Sequence, residues 1–484
     1  MKRLADILVV GVGMLLLDAC TAPARRMPPP APPDPVSSAA PVATQPATES
    51  TPSGSAVADQ PLTLEETIAL ALERNPDLQA NADRIGEAEA LVGQATAPFY
   101  PQLGARLGYA RTDNPAQAFM MILNQRRFTN SLDFNDPGAT QNVRPEVFGV
   151  LPLFRGGQDY QRREASLLGV EAAKLQRAAL RNALTDAVIS AYYALVAAPE
   201  QVEATGASIA AVSSALEQAR SRFGAGAALK SDVLSLEVRL AEAREGHLRA
   251  ENSVELSRAG LRALLALPAE APVEVAPVAG EPHLELPGTY SAALARATSS
   301  RPELAAAANQ VAMREHEVKA EQAAYLPRID AVGNYANDSS NLDLSSDTDS
   351  WAFGVAAEID LFSGFVTRER VRAAEQRLAE ARQAERAMRL EVERDVRTAF
   401  LAYGEAEQRV QVSQAAVASA KDALRLVDVQ YGTGTVTITR YLEAEAARTA
   451  ARSRAIAARY DLRRAEAGLQ KAMGVWAQSE AGEE

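Results

Sequence analysis

A glycine pair near the C-terminus is the first feature whose residue types and spacing could do chemistry. The stretch QYGTGTVTITRYLEAE, residues 430–445, holds a G-x-G of the kind that cradles phosphate in nucleotide-binding proteins. Such a loop needs a strand before its glycines, whereas a long helical tract precedes Gly432 and Gly434. The chain also has no G-x-x-x-x-G-K-[ST] pattern. The pattern disfavours a nucleotide-using enzyme and indicates a turn.

Metal-ligating residues are few and poorly spaced. The three histidines, His247, His283 and His316, lie far apart in sequence, and REHEVK around the last lacks the H-E-x-x-H spacing of a metalloprotease. The adjacent pair Met120 and Met121 suits contact with a soft metal ion, but neighbouring methionines are more often packing residues. The sequence predicts no metal site, no cofactor and no enzymatic activity.

The single cysteine, Cys20, follows the kind of segment that directs export. Residues 1–20 begin with a short basic segment and continue into an apolar run that is too short to span a bilayer. The ending LLLDAC resembles a bacterial lipoprotein processing site, although Asp18 is unusual there. We predict a signal peptide over residues 1–20 with lipidation, such as palmitate, at Cys20. The alternative is a cysteine discarded with an ordinary signal peptide.

Composition narrows the class of protein further. Residues 21–60 are rich in Pro, Ala, Ser and Thr and predict a flexible tether behind the lipidated cysteine. The net charge of −12 and the lack of a basic stripe with interleaved aromatics argue against nucleic-acid binding. Aromatic residues make up only 5%, and Ala, Leu, Glu, Arg and Gln dominate long tracts, which is typical of coiled coils.

The chain contains an internal duplication. Pro76 in NPDLQA returns as Pro302 in RPELAA, 226 residues on, whereas Phe223 beside the first G-x-G returns as Tyr431, 208 residues on (302 − 76 = 226; 431 − 223 = 208). The first copy therefore carries 226 − 208 = 18 additional residues between its two alternating segments. The expected organisation is a first repeat over residues 61–266, a linker over 267–288, a second repeat over 289–475 and a C-terminal tail over 476–484.

Each copy contains segments in which apolar residues alternate with small or polar ones. PQLGARLGYAR and SWAFGVAAEIDLF keep this period of two for about ten residues, the length of a tilted transmembrane β-strand. A half-buried strand of a soluble sheet would show the same alternation. If the strands cross a membrane, the predicted lipid-facing residues are Leu103, Leu107, Tyr109, Trp351, Phe353, Val355, Ile359 and Leu361.

Two strands per copy give four strands per chain, which is too few to close a membrane barrel. The smallest such barrels have about eight strands, and an open sheet edge in lipid leaves backbone groups without hydrogen bonds. Strands that span a membrane therefore require the chain to associate with further copies. Three copies would supply twelve strands.

Each copy ends in two long helical tracts separated by a glycine-bearing turn. The tracts from Gly156 to Phe223 and from Gly364 to Tyr431 would each reach on the order of 100 Å as uninterrupted helices. Apolar residues step by three and four within them, which is coiled-coil spacing. Pro199 is expected to perturb the first tract, because proline removes a helical hydrogen bond.

These features together resemble the TolC/OprM family of bacterial outer-membrane efflux channels. The resemblance runs from about residue 62 to residue 475 and is carried by NPDLQA, by YPQL and LPRID, by LPLFRGG and IDLFSG, and by YGTGTVTITRYLEAE. It implies a mixed fold in which three chains form a twelve-stranded outer-membrane β-barrel joined to a long periplasmic α-helical barrel. It also implies a passive exit duct for drugs, metals or similar small molecules.

The resemblance further implies which partners and residues matter. The helical tips would meet a periplasmic adaptor protein that links the homotrimer to an inner-membrane pump, and the barrel would contact outer-membrane lipid. The tip-turn and adaptor-contact candidates are Phe223, Gly224, Gly226, Tyr431, Gly432 and Gly434.

The closed periplasmic end of the family carries acidic residues shortly after the tip glycine. The matching positions here are Arg440 and Glu443, so Arg440 places a cation where a carboxylate is common. In the first copy the position that matches Arg440 is Asp232 (440 − 208 = 232). We hypothesise that Arg440 pairs with Asp232 or Glu443 and latches the closed tip. The alternative is a solvated surface arginine.

Two other interpretations of the whole chain remain. One is the same duct serving type I polypeptide secretion, since the cognate pump rather than the duct usually selects the substrate. The other is a coiled-coil lipoprotein scaffold that forms no channel. Such a scaffold would lack lipid-facing strands and would stay in solution without detergent after removal of residues 1–60.

Overall fold

A computed structural model describes residues 61–276, 286–342 and 346–477. Cys20, the signal peptide and the tether lie outside the described residues, as does most of the C-terminal tail. No helix in the described ranges combines the length and the apolar composition needed to cross a membrane.

The two halves of the chain repeat the same order of elements. The first half contains α1 Leu64–Arg74, α2 Pro76–Thr96, β1 Gln102–Thr112, α3 Pro115–Asn124, β2 Thr140–Arg155, α4 Gln158–Gly224 and α5 Lys230–Leu264. The second half contains α6 Tyr290–Ser300, α7 Pro302–Gln322, β3 Arg328–Asn337, β4 Asp349–Glu358, α8 Val366–Gly432 and α9 Ile438–Ala472. Helices α4 and α8 have 67 residues each, and α5 and α9 have 35 each. Within the described residues α3 has no counterpart in the second half, and its 10 residues lie in the loop that makes the first copy longer.

The N-terminal helical segment is divided in two at Asn75. Thr63 and Glu66 form a capping box at its start, and the hydrogen bond from the Thr63 backbone lowers the pKa of Glu66. Asn75 is extended, because a residue before proline avoids the helical region. The Asn75 side chain then accepts hydrogen bonds from the backbone N–H groups of Asp77 and Leu78 at 3.0 and 3.3 Å and starts α2.

The four strands form one antiparallel sheet in the order β1-β2-β3-β4. Leu107 lies opposite Pro145 in the β1–β2 pair, and Val147 lies opposite Tyr335 in the β2–β3 pair. Tyr335 in turn lies opposite Trp351 of β4. A register shift between Pro152 and Phe154 bends the end of β2 that leads into α4. Because β1 and β2 are antiparallel, the start of β1 at Gln102 and the end of β2 at Arg155 lie at the same end of the sheet, where both connect to helices.

The long helix α4 is the centre of the helical part of the chain. It packs against α5 of its own half and against α7 and α9 of the other half, and α2 also lies on it. Contrary to expectation, Pro199 does not interrupt α4. Its neighbours Leu195, Ala198 and Ala204 are buried, and we attribute the continuity to this packing outweighing the roughly 3 kcal/mol penalty of a helical proline.

Near the middle of α4, the backbone at Leu62 pairs with the segment that follows α5. The backbone of Leu62 pairs with residues 274–276, with Leu62 N–H donating to Glu274 at 2.9 Å and Ala276 N–H donating back at 2.8 Å. The hydroxyl of Tyr192, on α4, donates to the carbonyl oxygen of Ala276 at 2.9 Å. Burial raises the pKa of Tyr192 to about 12, because an ionised phenolate would lose its water there.

Candidate functional site

The sheet has one apolar face that runs across all four strands. Residues that lie opposite each other on antiparallel strands point to the same face of the sheet. The strand register therefore places on one face Leu103, Ala105, Leu107 and Tyr109 of β1, Val143, Pro145, Val147, Gly149 and Leu151 of β2, Ala331, Gly333 and Tyr335 of β3, and Trp351, Phe353 and Val355 of β4. The side chains at the outer strands are strongly exposed, with Trp351 at 77% and Leu103 at 75%. Such a contiguous exposed apolar surface marks an interaction or membrane-contact site.

The opposite face of the same sheet carries polar and charged residues. Arg106 lies beside Glu146 in the register, and Glu146 accepts a hydrogen bond from the Asn334 amide at 2.9 Å. The tip of the Phe148 ring approaches Gly104 so closely that a Cβ there would lie 2.5 Å from Cζ, and the Arg106 guanidinium lies 5.0 Å from the ring centroid. An apolar face opposite a polar face is the arrangement of a sheet with lipid on one side and water on the other.

Six of the eight predicted lipid-facing residues lie within strands on the apolar face. The exceptions are Ile359 and Leu361, which follow the end of β4 at Glu358 and so belong to the connection toward α8. Both are exposed, at 51% and 90%. Strand β4 ends at Glu358 because its partner β3 begins at Arg328, directly opposite, whereas the alternation in the sequence continues for three more residues.

Aromatic residues are placed at both ends of the apolar face. Tyr109, Tyr335 and Trp351 lie toward the loop that joins β3 and β4, and the Tyr335 hydroxyl donates to Asp349 at 3.2 Å. At the other end the rings of Phe362 and Phe365 meet edge to face at 5.4 Å. Tyrosine and tryptophan rings, which are amphipathic, favour the boundary between lipid and water, whereas the two phenylalanines are purely apolar.

The loops beyond the aromatic end are held by a buried polar cluster. The Gln125 amide donates to Asn142 Oδ1 at 3.0 Å, and the Asn142 amide donates to Asp338 at 2.6 Å. Arg144 pairs with the same carboxylate at 3.1 Å, and Asp338 is only 2% exposed. The hydrogen bonds to the Asp338 carboxylate are charge-assisted and are therefore stronger than those between neutral amides. The cluster joins the loop that carries α3 to the loop between β3 and β4.

Met120 and Met121 lie on helix α3 in this outer loop. Met120 is 54% exposed, and the rings of the nearby Phe119 and Phe134 are 4.6 Å apart. In the described ranges no three His, Cys, Asp or Glu side chains are grouped to hold a metal ion. His247 contacts Thr205 at 3.0 Å and His316 contacts Gln161 at 2.7 Å, which are ordinary side-chain hydrogen bonds.

The two glycine-bearing turns at the far end of the helices have the same backbone geometry. Gly226 and Gly434 have φ of 71° and 77°, in the left-handed region that side chains resist. At the first turn Ala227 N–H donates to the carbonyl of Arg222 at 2.8 Å and Gly226 N–H to that of Phe223 at 2.9 Å. The second turn repeats both bonds, which identifies each as a Schellman helix ending. Thr437 occupies the first position before α9, but its side chain makes no capping hydrogen bond.

The two tips are fastened to each other by Arg222, which the sequence did not single out. Its guanidinium donates to the carbonyl oxygens of Tyr431 and Gly432 at 3.1 and 3.0 Å and lies 5.2 Å from the centroid of the Tyr431 ring. These carbonyls end α8, where the helix dipole favours a cation. The equivalent position in the second copy is Gln430 (222 + 208 = 430). An arginine in one copy against a glutamine in the other is the only feature of the sequence that sets Arg222 apart.

The two tip aromatics are not equivalent. Tyr431 is only 8% exposed and stacks near Tyr441 with ring centroids 5.5 Å apart, so burial raises its pKa. Phe223, its counterpart in the first copy, is 46% exposed. Phe223 is therefore the tip aromatic that is free to meet a partner, whereas Tyr431 belongs to the core that joins the two tips.

The predicted gate residues are only partly brought together. Arg440 and Glu443 form an ion pair at 3.2 Å one helical turn apart, with side chains 63% and 60% exposed. Among the described residues Asp232 makes no ion pair with Arg440, and its carboxylate lies 3.5 Å from the Ser231 hydroxyl. The observed pair lies along one helix rather than across the tip.

A second residue that the sequence did not single out is Glu445, which is completely buried. Its carboxylate accepts hydrogen bonds from Ser208 at 2.6 Å, from Arg239 at 3.2 Å and from Thr449 at 2.8 Å. A buried carboxylate requires such partners. Because Ser208 lies on α4, Arg239 on α5 and Glu445 on α9, the cluster joins three helices above the tips.

The chain is similar to known outer-membrane proteins. It matches the family model described as outer membrane efflux protein over residues 67–267 and 293–475. It is 27% identical to protein CyaE of Bordetella pertussis over 65% of this chain and 63% of that protein, so it spans less than two thirds of this relative. It is 25% identical to the pyoverdine export outer membrane protein OpmQ of Pseudomonas aeruginosa, over 85% of each chain. The CmeC outer membrane channel of Campylobacter jejuni shares its fold with a TM-score of 0.74, at 18% identity over 85% of each chain.

Proposed function

The chain belongs to the outer membrane efflux protein family, and we propose that three copies of it build one passive exit duct through the outer membrane. In this proposal the three sheets form a twelve-stranded barrel and the long helices form a periplasmic tunnel beneath it. The duct consumes no nucleotide and catalyses no reaction. It conducts small molecules that an inner-membrane pump delivers.

The observation that carries the proposal is the sheet with one apolar face and two unpaired edges. Within the described residues nothing pairs with the outer edge of β1 or of β4. Unpaired backbone N–H and C=O groups each cost several kcal/mol in lipid, so a lipid-facing sheet must close. Four strands are about half of the smallest membrane barrel, and closure through further copies satisfies both edges.

The partners follow from the two ends of the molecule. The exposed Phe223 beside the Gly-bearing turns offers an apolar contact for a periplasmic adaptor, which would connect the trimer to its pump. Lipid contacts would come from the apolar face of the sheet. Lipidation at Cys20, with residues 21–60 as the tether, would add an N-terminal anchor.

One relative favours small-molecule efflux over polypeptide secretion. OpmQ, which the chain resembles over most of its length, is described as exporting pyoverdine, a small molecule. Drugs, metals or similar compounds are the corresponding substrates proposed here.

The gate hypothesis becomes more specific with the structure. We propose that in the assembled tip Arg440 exchanges its exposed partner Glu443 for Asp232 of the same or a neighbouring copy, because an ion pair along one exposed helix is worth less than about 1 kcal/mol and is easily replaced. Arg440→Asp should raise the open probability and the cation selectivity in single-channel recordings, whereas Arg440→Lys should retain both. Unchanged recordings for Arg440→Asp would exclude the latch.

Two measurements test the proposed function. The full chain, purified in detergent, is expected to have the mass of three copies and to give stepwise conductance in planar lipid bilayers. A strain lacking the gene is expected to become sensitive to drugs or metals, and the intact gene should restore resistance. A monomer without conductance, or an unaltered sensitivity profile across both panels, would overturn the proposal.

A further inference from the structure

Helix α3 lies against the polar face of the sheet, at the end where the outer loops begin. The helix is followed by Gln125, whose amide donates to Asn142 Oδ1 at 3.0 Å. Side chains alternate along β2, so Asn142 points to the same face as Arg144 and Glu146, which is the polar one. Asp338, which accepts from Asn142 and pairs with Arg144, lies on that face as well. The loop that carries α3 therefore folds over the polar face and not over the apolar one.

Burial along the strands agrees with this position. On the polar face of β3, Ala336 near the loops is buried, whereas Val332, farther down the same face, is 38% exposed. Helix α3 packs on β2, and its own buried residues are Ala118 and Ile122, which lie one helical turn apart. Helix α3 thus covers the polar face at its loop end and leaves the rest of that face open.

The side of α3 that points away from the sheet is apolar. Met120 and Leu123 lie one turn apart on this side. The segment after α3 enlarges the surface, because the rings of Phe128 and Phe134 pack on Phe119 with centroids 5.9 and 4.6 Å away. Met120, Leu123, Phe128 and Phe134, here called the α3 patch, are each more than a third exposed within the chain. An exposed apolar surface of this kind marks a contact that one chain by itself does not complete.

We infer that the α3 patches of three copies meet at the axis of the duct and narrow its outer mouth to an apolar constriction. The inference rests on the assembly proposed above, in which the polar face of each sheet lines the duct. A helix on that face lies inside the mouth and not in the surrounding lipid. Each α3 patch is therefore covered by the α3 helices of the two neighbouring copies.

The dimensions of such a barrel support this contact. Twelve strands about 4.8 Å apart and tilted by about 40° form a barrel roughly 24 Å across between backbones. Three helices of about 10 Å diameter, side by side, fill a circle roughly 22 Å across. Within its described residues the loop between β3 and β4 adds only the short turn Ser346–Thr348, so each copy contributes one helix. Three copies of α3 leave no wide opening between them.

Hydrogen bonds at both ends hold α3 in this position. Asn114 caps its start by accepting from the backbone N–H groups of Ala116 and Gln117 at 3.1 and 3.3 Å. At its end Gln125 binds β2, and the Arg126 guanidinium donates to the carbonyl oxygen of Asp349 in β4 at 3.4 Å. The helix is thus attached across the sheet, which makes the constriction a fixed part of the mouth.

An apolar constriction selects solutes by their hydration. An ion must give up part of its water shell to pass an apolar ring, whereas a solute with apolar surface loses little there. The outer mouth therefore resists ions and large polar solutes that arrive from outside. The cargo class that it favours is small molecules with an apolar surface.

Labelling from outside the cell tests the constriction independently of any gate at the helical tips. Ala356 lies on the polar face of β4, below the α3 patch, and is exposed. A charged thiol reagent that does not cross membranes should label Ala356→Cys slowly in the otherwise unchanged full-length protein. Adding Met120→Asp with Leu123→Asp should raise the rate about tenfold, because carboxylates hydrate the constriction. Adding Met120→Leu keeps the patch apolar and should leave the rate low.

Two further cysteine variants complete the test. Leu342→Cys, in the other outer loop, reports access above the constriction and should react equally fast with and without the two aspartates. Met120→Cys should give crosslinked dimers with a short bis-maleimide reagent, because each thiol meets those of the neighbouring copies. The protein without added cysteines controls for Cys20 in both experiments.

Each outcome bears on a different part of the inference. Equal labelling rates of Ala356→Cys with and without the two aspartates would overturn the constriction, whether both are fast or slow. Slow labelling that the aspartates relieve, without crosslinking of Met120→Cys, would overturn the contact between the α3 patches. Either result leaves the proposed duct standing if light scattering shows trimers, whereas a monomer without conductance would overturn the proposed function itself.

Discussion

Single charged residues hold the two helical tips together. Arg222 binds two carbonyl oxygens at the end of α8 and covers the Tyr431 ring, while Glu445 is buried among Ser208, Arg239 and Thr449. Neither residue is marked by a motif, because a hydrogen bond between distant parts of the chain leaves no spacing in the sequence. Arg440, which the sequence did single out, is exposed and pairs along its own helix.

The first residue-scale prediction concerns Arg222. Arg222→Ala should destabilise the protein by about 1–3 kcal/mol, because it removes two charge-assisted hydrogen bonds and exposes Tyr431. Arg222→Lys should recover only part of this loss, since a lysine cannot reach both carbonyls as a fork. Arg220→Ala is the control: its exposed pair with Glu237 at 2.7 Å should contribute less than about 1 kcal/mol. Thermal unfolding of the detergent-solubilised protein measures all three, and equal effects at both positions would contradict the role of Arg222.

The second residue-scale prediction is an alkaline transition at Tyr192. Its pKa is about 12 in the folded protein and about 10 when unfolded, so its contribution to stability is complete below pH 10 and is lost as the pH rises toward 12. Tyr192→Phe should cost about 1 kcal/mol at pH 8, through the lost hydrogen bond to Ala276, and should flatten the fall in stability between pH 10 and 12. Unfolding midpoints at pH 8, 10 and 11.5 test this. An alkaline fall of the same size in Tyr192→Phe would assign it to other groups.

Some helix and strand boundaries follow from the sequence, and others do not. The alternation of apolar residues identifies β1 and β4, and the repeat predicts that α4 and α8 have the same length. The break at Asn75 shows that a proline and an asparagine cap can override a helical pattern, whereas Pro199 shows that burial on several sides can preserve one. The break at Asn75 follows from local effects of Pro76 and the asparagine cap, whereas the continuity at Pro199 depends on the packing around α4.

At this scale the two faces of β4 should respond differently to the same substitution. Val355→Arg places a charge on the apolar face and should destabilise the membrane-inserted protein by about 2–4 kcal/mol. Ala352→Arg lies on the opposite face of the same strand and should have little effect there. Folding into lipid vesicles, followed by urea titration, compares the two variants. Equal destabilisation would show that β4 does not separate lipid from water.

The whole molecule consists of two copies of one pattern in unequal environments. The faces that α4 buries are exposed on α8, and the charged residues that join the halves of one chain have neutral counterparts on the other long helix. Helix α8 thus presents to solvent a face that the matching helix α4 buries within the chain.

Equivalent positions in the two copies should therefore tolerate mutation differently. Tyr193→Glu buries a charge in the cluster with Tyr460 and should destabilise the chain itself by more than about 3 kcal/mol. Leu401→Glu, at the matching exposed position, should leave the fold of the chain within about 0.5 kcal/mol and reduce the fraction of assembled trimer. Circular dichroism and light scattering separate these effects. Loss of fold in Leu401→Glu would contradict a role of this face in contact between copies.

The sequence by itself determined the duplication, the strands, the two Gly-bearing turns and the family, because each of these is written in local periodicity or in residues that repeat along the chain. The tertiary structure alone placed Arg222 on the end of α8, buried Tyr431 while exposing Phe223, and ended β4 before Ile359. These depend on which distant surfaces meet, and the energy of such contacts is set by distance and burial rather than by spacing in the chain. The glycine turns were predictable because their signal is local. The residues that fasten the turns were not, because their contacts join distant parts of the chain.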